Sequence, residues 1–322
     1  MTRELARPGI GTIHRTNEEE KVKILITGAS SLPGFRTTLE SLERNHEVVA
    51  LHWRNPIPIE EEKLKKISMD ISDLNSLREV VANERPDVLV HMAALGDVDL
   101  CEKDRQLAWE TTVNPSLTLA FMASKIKAFT VYLSTDYVFD GETGGYKELD
   151  APCPVNYYGL TKLLGEATFR SASIDCAIVR ASSIYGFGPG RMNFAKFVIE
   201  KLERGEQVKA LVDQYTSPTQ ATLLSKAVLE IIERRLTGIF HVVGERMSRF
   251  EFALRISERL GLDKRLISEA RMSDMKWFAR RPKDSSLDST FTRSILKTDF
   301  YSTETALDIL CREKEEAGRG QG

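Results

Sequence analysis

Val22-Lys23-Ile24-Leu25-Ile26-Thr27-Gly28-Ala29-Ser30-Ser31-Leu32-Pro33-Gly34 is the stretch that decides the fold. Its first residues are a short apolar run of the kind a buried strand requires. Gly28 and Gly34 then frame a tight turn. Pro33 suits the first turn of a helix, where a missing amide costs little, and an apolar face continues through Leu39 and Leu42. A strand that meets a helix amino terminus at a glycine turn offers unpaired amides and a positive dipole end to a pyrophosphate. Gly28 and Gly34 are therefore candidate phosphate-binding positions. Ser31 stands where a dinucleotide fingerprint has its middle glycine, so the motif is imperfect.

The alternation started there continues. Val48–Leu51, Asp87–His91, Thr130–Leu133 and Ala177–Arg180 read as further strands. Helical stretches lie between them at Asp73–Asn83, Gln106–Lys125 and Asn156–Phe169, with Ser72 or Asp73 as the cap of the first. Strands alternating with helices of this length predict an α/β fold, a doubly wound parallel Rossmann sheet. After Arg180 the pattern loosens. A Gly/Pro loop at Ile184–Gly190 leaves the sheet, helices follow at Phe194–Glu203 and Ala221–Arg234, a strand at Ile239–Val243 and a helix at Phe250–Leu260. The expected division is a flexible tail over 1–21, a dinucleotide-binding domain over 22–183 plus about 214–244, and a smaller mixed α/β substrate-binding region over about 184–213 and 245–322. The end from Lys314 to Gly322 is expected to fray.

Ligands of doubly wound sheets bind beyond the carboxyl ends of the strands. Gly28, Ala93 and Thr135 all fall just past such ends. The segment after the second strand, Leu51-His52-Trp53-Arg54, carries no carboxylate for ribose hydroxyls, and Arg54 is suited to a 2′-phosphate. NADP(H) is the expected cofactor, with NAD(H) the second choice and Arg36 a helper to Arg54. Asp70 and Ile71 lie where an adenine would sit, although an Asp before a helix also serves as a cap.

Tyr158-Gly159-Leu160-Thr161-Lys162 supplies the chemistry. Residues four apart share a helix face, and no other tyrosine of this chain has a lysine at that offset. An ammonium one turn from a phenol favours the phenolate and is expected to draw its pKa from near 10 toward neutrality. Such a phenol exchanges a proton with a substrate oxygen while hydride moves at the adjacent carbon. A hydroxyl such as Thr135 holds that oxygen in place.

Composition fits a soluble globular enzyme: the 322 residues are 42% hydrophobic and 29% charged. With a formal net charge of -2, nothing argues for nucleic acid or a membrane surface as a partner. No apolar run is long enough to span a bilayer, and the first twenty residues lack the apolar centre of a secretory signal. Cys101, Cys153, Cys176 and Cys311 are dispersed without a Cys-x-x-Cys pair, which argues against zinc or a disulfide framework and for reduced thiols in the cytoplasm. No metal is expected.

From about residue 22 to 290 the chain resembles the extended short-chain dehydrogenase/reductases, and among them the dTDP-4-dehydrorhamnose reductase group. The matching stretches are Met92-Ala93-Ala94 with Val98-Asp99 and Cys101-Glu102, Ser134-Thr135-Asp136-Tyr137-Val138-Phe139-Asp140-Gly141, Tyr158 to Lys162 with Gly165-Glu166, Arg180 with Tyr185-Gly186, Ser217-Pro218-Thr219, Gly238 to His241, and Arg281-Pro282. Ser134 to Phe139 is the most specific of them. The resemblance implies that Thr135, Tyr158 and Lys162 are the catalytic triad, with Tyr158 protonating the C4 oxygen of a keto sugar as NADPH delivers hydride to C4. It implies that Lys162 also binds the nicotinamide ribose, that Gly28, Ser31, Leu32 and Gly34 form the whole pyrophosphate loop, and that Ala93 and Ala94 line the cofactor crevice. Asn114 matches an asparagine beneath the site. Asp136 and Tyr137 are assigned to the nucleotide-sugar substrate, and Arg191 and Arg281, with Arg280, to its diphosphate. Related 4,6-dehydratases carry an Asp-Glu pair after the threonine, whereas here Asp136 is followed by Tyr137. An epimerase would be expected to show an acidic residue after the second strand. A different class also shares the resemblance: a non-catalytic NADP-binding regulatory subunit like the beta subunit of methionine adenosyltransferase. The sequence leaves the oligomeric state open: the Gln106–Lys125 and Asn156–Phe169 helices either pair into a homodimer, as in related enzymes, or are fully occupied by their own sheet.

Overall fold

The computed structural model describes residues 21–172 and 175–319; of the expected tail over 1–21, residues 1–20 lie outside them. Lys23–Thr27 (β1) is followed directly by Leu32–Glu43 (α1), then Glu47–His52 (β2), Leu64–Ser68 (β3), Leu74–Glu84 (α2) and Val88–His91 (β4). Two short helices, Val98–Lys103 (α3) and Arg105–Ala108 (α4), lead through a π-helical turn at Trp109–Val113 into Asn114–Ile126 (α5). Phe129–Thr135 (β5), Tyr157–Ala172 (α6) and Cys176–Ala181 (β6) complete the regular half. Beyond it come Phe194–Glu203 (α7), Val208–Leu211 (β7), Tyr215–Thr216 (β8), Ala221–Glu233 (α8), Gly238–His241 (β9), Met247–Ser248 (β10), Arg249–Arg259 (α9), Ile267–Ala270 (β11), Thr290–Ile295 (α10) and Thr303–Arg319 (α11).

Seven strands form one sheet in the order β3-β2-β1-β4-β5-β6-β9. Every pairing in it is parallel. The fold is thus the expected doubly wound α/β architecture, with its switch point between β1 and β4, where a ligand crevice forms. Both faces are covered, as a parallel sheet requires. Ile24 and Ile26 of β1, Val48 and Ala50 of β2 and Val131 of β5 face a layer that includes Leu224 and Val228 of α8, Val198 of α7 and Phe252 of α9. Their neighbours Leu25, Val49 and Tyr132 face the opposite layer, with Leu77 of α2, Leu119 of α5 and Phe169 of α6. This period of two in a sheet buried on both sides is why the strands read as continuous apolar runs.

Two small sheets lie outside the large one. β7 pairs in parallel with β11, and β8 pairs antiparallel with β10. They join the stretches expected to form the substrate-binding region, and they draw in Tyr215–Thr216, which the sequence division had placed with the dinucleotide half. Of the end expected to fray, residues 314–319 continue the helix, and residues 320–322 lie outside the described residues.

Candidate active site

The β1–α1 turn is built by sterics. Gly28 has φ +69, and a Cβ there would lie 2.9 Å from the Ala93 backbone; a Cβ on Gly34 would lie 2.2 Å from the Gly28 carbonyl oxygen. The two glycines therefore let strand, helix and the end of β4 meet at backbone contact. Ser31 caps α1: its hydroxyl accepts from the Gly34 amide at 3.3 Å and donates to the Gly28 carbonyl at 2.7 Å. The serine that interrupts the glycine pattern thus holds the turn closed. Gly190 lies over the turn, close to the Leu32 amide. Below it, Thr27 Oγ1 accepts from the Met92 and Ala93 amides at 3.2 Å each and bonds His91 at 2.7 Å.

A cavity of about 570 Å³ opens at the carboxyl ends of β1, β4, β5 and β6. Of the expected positions it brings together Ser31, Leu32, Ala94, Thr135, Asp136, Tyr137, Tyr158, Lys162 and Arg191. Thr135 ends β5, and Tyr158 and Lys162 occupy the first turns of α6. The start of α6 is placed by close contact: a Cβ on Gly159 would lie 2.1 Å from the Tyr137 carbonyl oxygen. Asn156 accepts from the Gly159 amide at 2.9 Å, and Glu102 accepts from the Tyr157 amide at 2.8 Å. The rings of Tyr137 and Tyr158 meet edge to face, 6.0 Å between centroids.

The electrostatics differ from the sequence expectation. Burial raises the Tyr158 pKa above that of a free phenol, with the Thr135 hydroxyl pulling it down and the Asp136 carboxylate raising it further. Lys162 is itself pushed down to about 7 by burial, with Glu166 opposing the shift. Its Nζ stands 4.2 Å over the Tyr132 ring. The expected ammonium-assisted phenolate is therefore not what the protein alone holds: a buried lysine that loses its own proton near neutrality supplies little field to the phenol.

Asp136 is buried at 2% exposure. Its carboxylate accepts from Ser182 at 2.7 Å, from Thr135 at 3.0 Å and from Ser285. It thus ties the end of β5 to Ser182 and Ser285 instead of standing free for a ligand, and burial raises its pKa against the pull of those hydroxyls. Behind α6 lies a buried ion pair: Arg180 Nη2 meets Glu166 at 2.7 Å, and Ser134 Oγ donates to the same carboxylate at 2.5 Å.

Other expected positions lie away from the cavity. Gly28, Gly34 and Ala93 shape its floor without lining it. Arg54 is exposed and stacks on Trp53, its guanidinium carbon 3.9 Å from the ring centroid. Asp70 accepts from the amide and hydroxyl of Ser72, and Ile71 packs on the core; Asp73 is the cap of α2. Arg281 pairs with Asp99 at 2.9 Å and lines a neighbouring depression with Trp277 and Arg280. Arg36 donates to the Phe187 carbonyl and pairs with Glu313 at 3.2 Å, so it is committed to packing. Arg191 sits at the rim, paired with Asp97 at 3.0 Å. Arg249, Phe194, Asn193 and Met192 line the cavity and were not singled out from the sequence. Nothing in their spacing marks them, because β8–β10 pairing and the packing of α7 on α9 bring them there. Among the described residues no cluster of three His, Cys, Asp or Glu is placed to hold a metal.

The model of the RmlD substrate binding domain family matches residues 22–314. A probable low-salt glycan biosynthesis reductase, Agl14, of Haloferax volcanii is 32% identical over 82% of this chain and 88% of its own. Methionine adenosyltransferase 2 subunit beta of Pongo abelii is 28% identical over 86% of this chain and 84% of its own. The crystal structure of a hypothetical dTDP-4-dehydrorhamnose reductase from Sulfolobus tokodaii superposes with a TM-score of 0.78 at 40% identity, covering 89% of this chain and 98% of that one. dTDP-4-dehydrorhamnose reductase of Bacillus anthracis, solved in complex with NADP, superposes with a TM-score of 0.79 at 28% identity, covering 91% and 100%.

Proposed function

The chain belongs to the RmlD substrate binding domain family, and from that premise we propose that it is an NADPH-dependent reductase of a nucleotide-linked 4-keto-6-deoxy sugar. The observation that carries the reading is that Thr135, Tyr158 and Lys162 share one cavity with the α1 turn. Thr135 holds the keto oxygen by turning its hydroxyl proton from Asp136 to that oxygen, and Tyr158 gives the same oxygen a proton. Asp136 positions Thr135, and Glu166 favours the charged form of Lys162. NADPH, when bound, supplies the hydride to C4. The residues fit that group: the α1 turn offers a capped helix terminus for its pyrophosphate. Arg54, which forms no ion pair among the described residues, is available to a 2′-phosphate. NAD(H) is the lesser partner on the same argument.

The proposal includes a dinucleotide-binding domain over 22–183 plus about 214–244, a substrate-binding region over the remainder, and a location in the cytoplasm. It also includes a homodimer through the exposed Leu117 and Phe121 of α5 and Leu160 of α6.

A panel of nucleotide keto sugars, made in situ by a dehydratase and assayed for NADPH oxidation, tests it. At least one is expected to be reduced, and Tyr158→Phe is expected to lower turnover by about 10²–10⁴. Similarity to methionine adenosyltransferase 2 subunit beta supports a second reading, a non-catalytic NADP-binding regulator. That reading wins if the protein binds NADPH, reduces no member of the panel and is unaffected by Tyr158→Phe.

A further inference from the structure

Arg249 opens α9, directly after its cap. The nearest acid on its own helix, Glu251, is committed to that cap: it accepts from the Ser248 amide at 2.7 Å, and its own amide donates to Ser248 Oγ at 3.1 Å. The Arg249 guanidinium stands 4.9 Å from the centroid of the Phe194 ring, on the wall shared with Asp136, Tyr137, Ser183 and Asn193. Asp136 exerts a field on it, but that carboxylate is already engaged by Ser182, Ser285 and Thr135. Of the other two cations of the cavity, Arg191 pairs with Asp97, and Lys162 feels the field of Glu166, a carboxylate already paired with Arg180. Among the described residues, Arg249 and Lys162 are the cavity's cations without an ion-pair partner; burial pushes Lys162 down to about 7, so it sheds its charge near neutrality, whereas the guanidinium keeps its own. A half-buried guanidinium carries a desolvation penalty that an ion pair would offset, and its fork matches the oxygens of phosphate or carboxylate.

We propose that Arg249 is the residue that anchors an oxyanion of the substrate in this cavity, either a phosphate of the nucleoside diphosphate or a carboxylate on the sugar ring. The inference rests on the nucleotide-sugar reading of the site; its carboxylate arm requires a uronic acid in place of the 6-deoxy sugar, which carries no carboxylate. It places the anion beside Tyr137, on the substrate side of Thr135 and away from the α1 turn.

Calorimetric titration of the full chain, saturated with NADPH, tests it with dTDP, UDP, UDP-glucose and UDP-glucuronic acid as probes. Wild type is expected to bind at least one of them, and Arg249→Gln to weaken that binding roughly 10- to 100-fold, the range of a lost charge-assisted hydrogen bond. Arg249→Lys retains much of the affinity, and the NADPH Kd is unchanged in both variants. A loss with dTDP or UDP identifies the diphosphate as the anion; a loss confined to UDP-glucuronic acid identifies the sugar carboxylate. The proposal is overturned if wild type binds none of the probes, if Arg249→Gln binds all of them as wild type does, or if NADPH affinity falls in parallel. Binding of dTDP that depends on Arg249, in a protein that reduces no keto sugar, refutes the reductase and leaves the anchor standing.

Discussion

Lys162 is the residue on which the site's pH behaviour turns. Burial at 3% exposure sets its pKa near 7, against 10.5 for an ordinary lysine. Between those values the unfolded chain binds more protons than the folded one, so this group's contribution to stability rises with pH from about 7 to 10.5. If Lys162 holds the nicotinamide ribose, as the family resemblance implies, a bound dinucleotide would favour the ammonium and reverse the preference. Cofactor binding above pH 7 should therefore take up a proton, and affinity should fall as pH rises, by at most about tenfold per unit. Calorimetry at pH 8 in buffers of different ionisation enthalpy measures that uptake directly; Lys162→Met should abolish it. Affinity that stays level from pH 7 to 9 with no proton taken up would remove the proposed part of Lys162. Spacing alone placed Tyr158 and Lys162 on one helix face, but it carried no information on burial, which decides the sign of both shifts. Arg249 was invisible for a related reason: it is one arginine at a helix start, and only tertiary packing turns it toward the cavity.

At the scale of elements, the junction of β5, β6 and α6 holds the site in register. Glu166 of α6 and Arg180 of β6 pair with both side chains at or below 2% exposure, and Ser134 of β5 joins them. Arg180 also reaches the Glu148 carbonyl at 3.2 Å. Breaking a buried pair strands a charge, so Arg180→Met should lower unfolding free energy by about 3–5 kcal/mol in a urea titration, and Glu166→Leu with Arg180→Met should recover much of it. A single variant as stable as wild type would show that the pair contributes only position. The elements of this junction were legible because their strands are buried on both faces and end in turn residues. β3 was missed: Leu64-Lys65-Lys66-Ile67-Ser68 is an edge strand with no fully buried residue, and its lysines hide the apolar pattern while protecting the edge. Gln106–Lys125 read as one helix, whereas the π-helical turn at Trp109–Val113 breaks its register, a local adjustment that periodicity averages away.

Across the whole molecule, large apolar side chains are exposed in several places, Phe197 of α7 and Phe291 of α10 among them, but α5 and α6 carry three between them. Leu117 and Phe121 stand one turn apart on α5 at 47% and 54% exposure, and Leu160 of α6 is exposed at 38%. α5 and α6 pack side by side over the same face of the sheet. The exposed residues of these two neighbouring helices make an apolar strip on the face opposite the layer built from α1, α7, α8 and α9. Exposed apolar residues scattered singly need no explanation, but a strip shared by two neighbouring helices marks an interaction surface. A two-fold axis through it would pair α5 and α6 with their copies and leave the cavity mouth open on each subunit, since no residue of the strip lines the cavity. Sedimentation at micromolar concentration should give twice the chain mass of 36.3 kDa, and Phe121→Glu with Leu117→Glu should give the monomer while retaining NADPH binding. Wild type that stays monomeric at about 100 μM, well above the Kd of a stable dimer, would rule this interface out and leave the strip to a different partner.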